Sequence, residues 1–446
     1  MNNSERPIVD KFGGHSMYDA DTIRQSAEIV RSDPDRRFIV VSAPKGITDL
    51  LRIASTQDGL PDDNGLFSTL ENREAAFAQA TERFSVIGQE LGCRDVNDWI
   101  DQVRQGVFSD NDIDWSMSRG EWLMAKIFAN YLGATFIDAE EIIRIRGDRY
   151  VDPVSYGLIG ERLLPEQGVC IIPGYYGLDE MGHIRTFPRG GSDITGAVMA
   201  RGINARLYEN WTNTNGVLAA NPKIFPGKEL ISINELTLEE MREMGNGGTT
   251  VLQRDAILPL IDTDILLIVK NTFNPNHPGT KIVRGRQKFE GEHVIGVASE
   301  EGFISVNIQK HGMNEEIGVG RGILEQFESS GVSYEHNPSG RDYVSVIVNR
   351  TYLDRLSSIM DNLRRDIQPD RIWVQENLGL LSLVGQGIEE HATRVSRMLF
   401  SALDDASIPV KAFSYGASGI SMVVAVDNDR LEEAVKLAYE FFIEKK

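Results

Sequence analysis

Ile8-Val9-Asp10-Lys11-Phe12-Gly13-Gly14-His15-Ser16-Met17 begins the first organised segment of the chain. Ile8 and Val9 start a short strand that runs into a loop with two adjacent glycines. A helix is expected next, with Asp19 or Asp21 as its cap and Ile23, Ala27, Ile29 and Val30 as its apolar side. Phe38-Ile39-Val40-Val41 reads as a buried strand, and it feeds Ser42-Ala43-Pro44-Lys45-Gly46-Ile47-Thr48-Asp49. Strand, glycine-containing loop and helix, repeated, is the pattern of an α/β protein with a mostly parallel sheet between helices. Ligands in such sheets sit at the carboxyl ends of strands, where both loops fall.

A third loop has the same character. Thr186-Phe187-Pro188-Arg189-Gly190-Gly191-Ser192-Asp193-Ile194-Thr195 leads into a run of small and apolar residues. Gly190 and Gly191 allow positive φ and close approach of a ligand. Ser192 and Asp193 are both suited to cap the helix that follows. A helix starting there aims unpaired N–H groups at the loop, and Arg189 at its mouth can grip a carboxylate or phosphate with two hydrogen bonds. The plainer reading is a capped helix with a surface arginine. Between these loops, residues from about 65 to 115 look helical and polar. Ser118-Arg119-Gly120-Glu121 is expected to open a helix, and Val169 to Ile172 forms a strand. Leu207 to Val217 reads as strand then turn, and Ile265 to Val269 as a strand before an Asn- and Pro-rich loop.

The chain of 446 residues is too long for one core. Its composition, 41% hydrophobic and 25% charged, is that of a globular protein. A formal net charge of −20 gives no field to attract nucleic acid or anionic membrane, so neither is expected as a partner. Cys93 and Cys170 form no metal or redox motif, which fits a reducing cytoplasm. No apolar run is long enough to span a bilayer.

After the charged stretch ending at His293 the pattern changes. Val294–Val297, Ile304–Ile308 and Tyr343–Val348 read as strands, with helices over Gly320–Ser329 and Leu353–Leu363. The series recurs as strand Leu380–Leu383, helix Ala392–Leu403, strand Ile420–Val426 and helix Leu431–Phe442. Ser339-Gly340 and Ser418-Gly419 precede similar strands. Two small α+β units of about 70 residues each follow from this repeat. They carry no catalytic cluster, so packing or dimerisation is one reading and effector binding the other.

Taken in order, Lys11-Phe12-Gly13-Gly14, Val41-Ser42-Ala43 with Gly46-Ile47-Thr48-Asp49, Ser118 with Gly120-Glu121, Arg189-Gly190-Gly191-Ser192-Asp193, and Glu209 with Trp211-Thr212 resemble aspartate kinases of the amino-acid kinase superfamily. The repeat resembles their paired ACT domains. Met313-Asn314, Tyr334-Glu335-His336 and Pro338-Ser339-Gly340 are similar to the single-function type. The resemblance implies a catalytic domain over 1–285 and ACT-like units over 292–370 and 371–446. It implies transfer of the γ-phosphate of ATP to the side-chain carboxylate of L-aspartate, with Mg²⁺ held mainly by the nucleotide phosphates rather than by a protein metal site. That carboxylate is ionised at neutral pH, so the reaction needs alignment and neutralisation of charge rather than a strong base.

Each site residue then has an implied role. Lys11, with Gly13, Gly14 and His15, meets the phosphates. Asp193 orients Lys11 or helps organise magnesium. Arg189 holds the substrate α-carboxylate, Glu121 accepts the α-ammonium group, and Ser42, Gly190, Gly191 and Ser192 surround the substrate. Trp211, Thr212, Asn213 and Lys223 fall where nucleotide binds. A homodimer, and lysine or threonine as effector, are further implications. The chain departs from the family pattern at His15, Pro188, Asn213, Asn215, Thr250 and Gln253. Two alternatives stay beside the main reading: a diverged kinase for another amino acid, and a catalytically weak regulatory paralogue that senses an amino acid.

Overall fold

The computed structural model describes residues 6–56, 69–109, 112–188, 190–246, 256, 258–285, 293–416 and 418–445. The chain divides into two compact units. The first holds Met1–Val217, Ser232–Leu238 and Val251–Arg286; the second holds Leu218–Ile231, Glu239–Thr250 and Gln287–Lys446.

The first unit runs β1 (Ile8–Phe12), α1 (Ala20–Arg31), β2 (Arg36–Val41), α2 (Ile47–Ser55), α3 (Leu70–Leu91), α4 (Val96–Ser109), α5 (Ile113–Leu132), β3 (Thr135–Phe136), α6 (Ala139–Ile142), α7 (Val154–Leu163), β4 (Cys170–Pro173), β5 (Tyr176–Leu178), β6 (Ile184–Thr186), α8 (Gly191–Gly202) and β7 (Leu207–Thr212). It is completed by β8 (Glu235–Thr237), β9 (Leu266–Asn271) and β10 (Thr280–Val283); α9 (Leu238–Asn246) follows β8 and belongs to the second unit from Glu239 onward. Eight strands form one sheet in the order β3-β4-β2-β1-β7-β9-β10-β8, and β5 and β6 make a separate hairpin. All neighbours in the large sheet are parallel except β9 and β10. The expected mostly parallel sheet is present. Asp19 is the cap of α1, in a capping box with Thr22.

β1 is buried along its whole length between β2 and β7. Its register pairs Asp10 with Glu209, Lys11 with Asn210 and Phe12 with Trp211. Side chains alternate across a strand, so Asp10 and Phe12 face one side of the sheet and Lys11 the other. On the Asp10 side, one nitrogen of Arg36 binds both Asp10 and Glu209. The Trp211 indole donates to Asp10 at 2.8 Å and stacks on Phe12 at 6.0 Å between centroids. Burial pushes the Asp10 carboxyl well above the carboxylate range; Arg36 opposes this and Glu209 adds to it.

The sheet ladder continues past the strand ends into the loops. Gly174 N–H donates to Val41 C=O (2.9 Å), Ser42 N–H to Phe12 C=O (3.0 Å), Gly13 N–H to Trp211 C=O (3.0 Å) and Thr272 N–H to Thr212 C=O (2.9 Å). These bonds gather the loops after β4, β2, β1, β7 and β9 at one sheet edge.

The second unit contains β11 (Gly296–Gln309), α10 (Val319–Ser329), β12 (Tyr334–His336), β13 (Tyr343–Asn349), α11 (Leu356–Asp366), β14 (Arg371–Val384), α12 (Ile388–Asp405), β15 (Ala412–Tyr415), β16 (Ser421–Asp427) and α13 (Asn428–Tyr439). The order βαββα occurs twice: the repeat of two small α+β units is present, and each has one short strand, β12 or β15, that the sequence reading did not include. The two halves share one antiparallel sheet, β12-β13-β11-β14-β16-β15, joined through β11 and β14. The separate strands expected at Val294–Val297 and Ile304–Ile308 are instead one long strand. Its pairing shifts around Gly302, whose φ of 86° lets the strand pass the irregularity without ending.

Arg36 is the only cation binding both buried carboxylates of β1 and β7 among the described residues. Arg36→Met leaves them together without it and should cost about 3–5 kcal/mol in urea unfolding. Adding Asp10→Asn to Arg36→Met should recover part of that loss; equal stability of the single and double variants would contradict this account.

Candidate active site

Lys11 and Asp193 meet from two elements. Lys11 is the fourth residue of β1, and Asp193 lies in the first turn of α8. Their ion pair, Nζ to Oδ1, is 2.5 Å long, and both side chains are nearly buried. Asn210 of β7, the register partner of Lys11, donates to the same Asp193 oxygen at 2.9 Å. Tyr208 donates to the Asp193 backbone carbonyl at 3.1 Å. The carboxylate is thereby held on the sheet by a cation and an amide. Sequence reading passed over Asn210 and Tyr208, because their parity with Lys11 depends on strand register.

The start of α8 differs from the expectation. Its cap is Gly190, at φ 80°, with no side-chain capping bond. Ser192 and Asp193 are therefore first-turn residues, not caps. The left-handed turn at Gly190 aims Asp193 at Lys11 instead of at its own helix N–H groups. Arg189 lies outside the described residues, as do Thr250 and Gln253.

Glu121 also differs. The helix that carries it opens at Asp112, whose side chain accepts from Trp115 N–H at 3.0 Å. Ser118 spends its hydroxyl on the Trp115 carbonyl at 2.6 Å within that helix. Glu121 is thus a buried mid-helix residue rather than one in a first turn. Its Oε2 has no hydrogen-bond partner among the described residues. Burial pushes its carboxyl up to about 8, against a backbone hydrogen bond from Ala43 and the charges of Lys11 and Arg119. A buried acid with a free oxygen is suited to receive a cation, which would draw out its proton.

Lys11, Glu121 and Asp193 line one cavity of about 570 Å³ with Ser42, Gly190, Gly191 and Ser192. Lys45, Thr48, Asp49, Arg52, Met117 and Tyr175 complete its walls; sequence reading did not single these out as site residues. Tyr175 was legible only as part of a loop, yet it holds a φ of 81°, a strained setting for a bulky residue. Its N–H donates to Thr195 Oγ1 at 3.0 Å, and Phe187 N–H donates to its carbonyl at 2.8 Å. A smaller cavity of about 120 Å³ lies behind Phe187 and Pro188. Its one charged group, Arg149, is already bound to Asp114 and Thr186.

The loop after β1 packs against the loop after β2. A side-chain carbon at Gly14 would stand 2.7 Å from the Ala43 carbonyl, so only glycine fits there. At Gly13 the same carbon would stand 3.4 Å from Lys11 Nζ. His15 is half-buried, and burial, then the charge of Lys45, lowers its pKa.

The nucleotide set is more dispersed. The Trp211 ring is buried between Phe12 and the cations Arg36 and Lys270, so it packs the core and offers no face to a base. Its backbone carbonyl is the part that reaches the loop at Gly13. Thr212 donates to Asn213 Oδ1 at 3.3 Å, and Asn213 is exposed. Asn215 accepts from Asn271 and Asn274. Lys223 belongs to the second unit, exposed in a short turn capped by Asn221. Among the described residues no cluster of three His, Cys, Asp or Glu could hold a metal ion. No described helix is long and apolar enough to cross a membrane.

Glu121→Gln should raise KM for an ammonium-bearing substrate by about tenfold or more, the worth of a hydrogen bond to a charged group, with KM for nucleotide unchanged. The native acid holds its proton between its ordinary pKa of 4.5 and about 8. Stability should therefore fall as pH rises through that window, and the fall should be smaller in Glu121→Gln. Identical Tm–pH profiles for the two proteins would contradict the buried, proton-holding carboxyl.

Residues 6–271 match the amino acid kinase family, and residues 381–442 match an ACT domain. The chain is 33% identical to aspartokinase 3 of Bacillus subtilis, over 97% of this chain and 98% of that one. The Clostridium acetobutylicum aspartate kinase, described as an allosteric enzyme, superimposes with a TM-score of 0.84 at 34% identity, covering 98% of this chain and 100% of that one. Escherichia coli aspartokinase III, solved with aspartate and ADP, has the same fold, with a TM-score of 0.81 at 22% identity over 97% and 99% of the two chains. By its fold, its full-length likeness and its paired C-terminal halves, the chain belongs to the aspartokinases of the amino acid kinase family.

Proposed function

We propose that the protein transfers the γ-phosphoryl group of ATP to the side-chain carboxylate of L-aspartate, forming 4-phospho-L-aspartate, the first step of the aspartate-derived amino acids. The observation that carries this reading is the shared cavity with Lys11 and Asp193 on one wall and the unpartnered Glu121 oxygen on another. Aspartate brings an ammonium group for Glu121 and a nucleophilic carboxylate for the Lys11 side. Arg189 is assigned the α-carboxylate on its sequence position alone.

In the reaction a carboxylate oxygen bonds to the γ-phosphorus as the bond to the β–γ bridging oxygen breaks, and ADP leaves. Both reactants are anions, so their approach has to be screened. Lys11 supplies a point charge at Gly13, fixed in direction by Asp193 and Asn210. Such a preorganised charge needs no reorganisation as negative charge shifts between the oxygens. Gly13 and Gly14 bring backbone close to the phosphates. Ser42, Gly190, Gly191 and Ser192 are assigned to the substrate. His15, Thr212 and Asn213 remain assigned to the nucleotide side. Mg²⁺ carried by the phosphates would supply further charge neutralisation. Asp193 is the cavity carboxylate nearest the Lys11 charge and could join its shell; magnesium accepts such partial protein ligation.

The second unit is proposed to be regulatory, with an amino acid such as lysine or threonine as effector. Its βαββα halves carry no catalytic group, and the allosteric description of the Clostridium relative supports this reading. Homodimerisation through that unit and a cytoplasmic location are part of the same proposal. The departures at His15 and Asn213 keep a different amino-acid substrate as the competing reading.

Hydroxamate formation with ATP, Mg²⁺ and hydroxylamine, run across a panel of amino acids, tests substrate and activity together. Aspartate should give the highest kcat/KM; another amino acid in first place would replace it. Lys11→Met should lower kcat by about two to four decades, as for loss of a preorganised transition-state charge. It also strands the buried Asp193 carboxylate. Lys11→Met/Asp193→Asn should therefore regain Tm without regaining turnover, and recovered turnover would remove Lys11 from the chemistry.

A further inference from the structure

Lys11 is a cation whose charge is already balanced. Asp193 sits 2.5 Å from its Nζ, and the pair together carries no net charge into the cavity. The cavity has two other cations among its described lining residues, Lys45 and Arg52. Arg52 stands 3.9 Å from the carboxylate of Asp49, one turn away on α2. Lys45 has no carboxylate within ion-pair distance among the described residues, and its side chain is exposed at the cavity.

The backbone at Lys45 is held against the loop after β1. Lys45 N–H donates to the Gly14 carbonyl at 3.3 Å, and Arg83 donates to the Lys45 carbonyl at 3.2 Å. A side-chain carbon at Gly14 would lie 3.4 Å from Lys45 Cα. Gly46 follows at φ 88° and turns the chain into α2, which places Lys45 just before the positive end of that helix. The charge of Lys45 is felt at His15, the next residue of the same loop. Strand β1 and the loop after β2 thus present Lys11 and Lys45 to one cavity, Lys11 paired with Asp193 and Lys45 with no carboxylate among the described residues.

We propose that Lys45 binds the terminal phosphates of the nucleoside triphosphate, as the second cation of the phosphoryl site beside Lys11. This rests on the kinase reading above and adds a residue to it. A triphosphate brings several negative charges, and the Lys11–Asp193 pair offers it direction but little net charge. An ammonium with no carboxylate partner among the described residues can follow the phosphates and stay with ADP as the bond breaks. Its flexible stem suits a target whose charge moves during the reaction.

The test is titration calorimetry of the intact protein with ADP and with inorganic tripolyphosphate, in wild type, Lys45→Ala and Lys45→Arg. Lys45→Ala should weaken both ligands by about tenfold to a hundredfold, as for loss of a charged hydrogen bond, and Lys45→Arg should retain most of the affinity. In steady state KM for ATP should rise while KM for the amino acid stays. NMR titration of the His15 imidazole gives a readout independent of turnover. Its pKa should rise in Lys45→Ala, because a positive neighbour has gone, and should rise in wild type when ADP is added. Equal binding of ADP by wild type and Lys45→Ala, or a rise in the amino-acid KM alone, overturns the role of Lys45. No binding of ADP or tripolyphosphate by the wild type overturns the kinase reading and this inference with it.

Discussion

Charge burial on both faces of one strand pair is the constraint on which the catalytic unit depends. β1 and β7 carry Asp10 and Glu209 toward one side and Lys11 and Asn210 toward the other. Each side supplies the opposite charge: Arg36 for the two carboxylates, Asp193 for the lysine. A slip of β1 by one residue would exchange the faces. Lys11 would then meet Arg36, and Asp10 would meet Asp193. Both are like-charge contacts in a dry interior, where an unpaired charge costs several kcal/mol. Ordinary parallel sheets are held in register by apolar packing and are tolerant of small errors in it. Here the register is specified by sign, and the same specification brings the reactive lysine to the site.

The loops follow from that register. Four backbone bonds extend the ladder beyond β4, β2, β1 and β9, so the residues that would touch substrate start from sheet geometry rather than from free loop. Gly14 and Ala43 meet too closely for any side chain at residue 14. Helix α5 approaches the same corner through Gly120, where a side-chain carbon would stand 2.8 Å from Ala43 Cβ. The next residue, Glu121, is consequently carried into the cavity wall from the middle of a helix. Its burial costs the charged form solvation. On the proposed reading, an incoming ammonium group would restore that loss and fix the carboxylate at once, coupling substrate recognition to a proton leaving the protein.

Much of this was legible in the chain. Apolar runs bounded by glycine-containing loops marked β1, β2 and β4, and a repeated order marked the second unit. The loops at residues 13, 42 and 190 were recognisable because glycine, serine and charge concentrate in them. What stayed hidden depends on partners distant in sequence. Ser118 looked like a helix start because serine before glutamate suits a cap, whereas Asp112 had already opened the helix. The resemblance placed Trp211 with the nucleotide, but its register opposite Phe12 buries its ring. β8, β12 and β15 are only three or four residues long, too short to give a period. Asp10 and Glu209 stood in plain view as charges within predicted strands, and Arg36 just before one; only the pairing shows that they answer one another.

The overall charge sets a last requirement on the site. At −20 the chain repels a triphosphate from most directions. Salt confines that repulsion to about 8 Å at physiological ionic strength, so charges lining the cavity decide whether an anion enters. Within that range Asp193 is neutralised by Lys11, and Glu121 holds its proton until a cation arrives. The free cavity therefore presents fewer negative charges than its residues suggest. His15 and Asn213 are the two departures from the resembled family pattern that bear on this balance, and neither side chain is a carboxylate. Asn213 carries no charge, and burial with the nearby Lys45 favours the neutral form of His15. Neither departure adds negative charge to the proposed phosphoryl site, and on an acidic chain the proposed role of Lys45 would make its entrance more attractive to nucleotide.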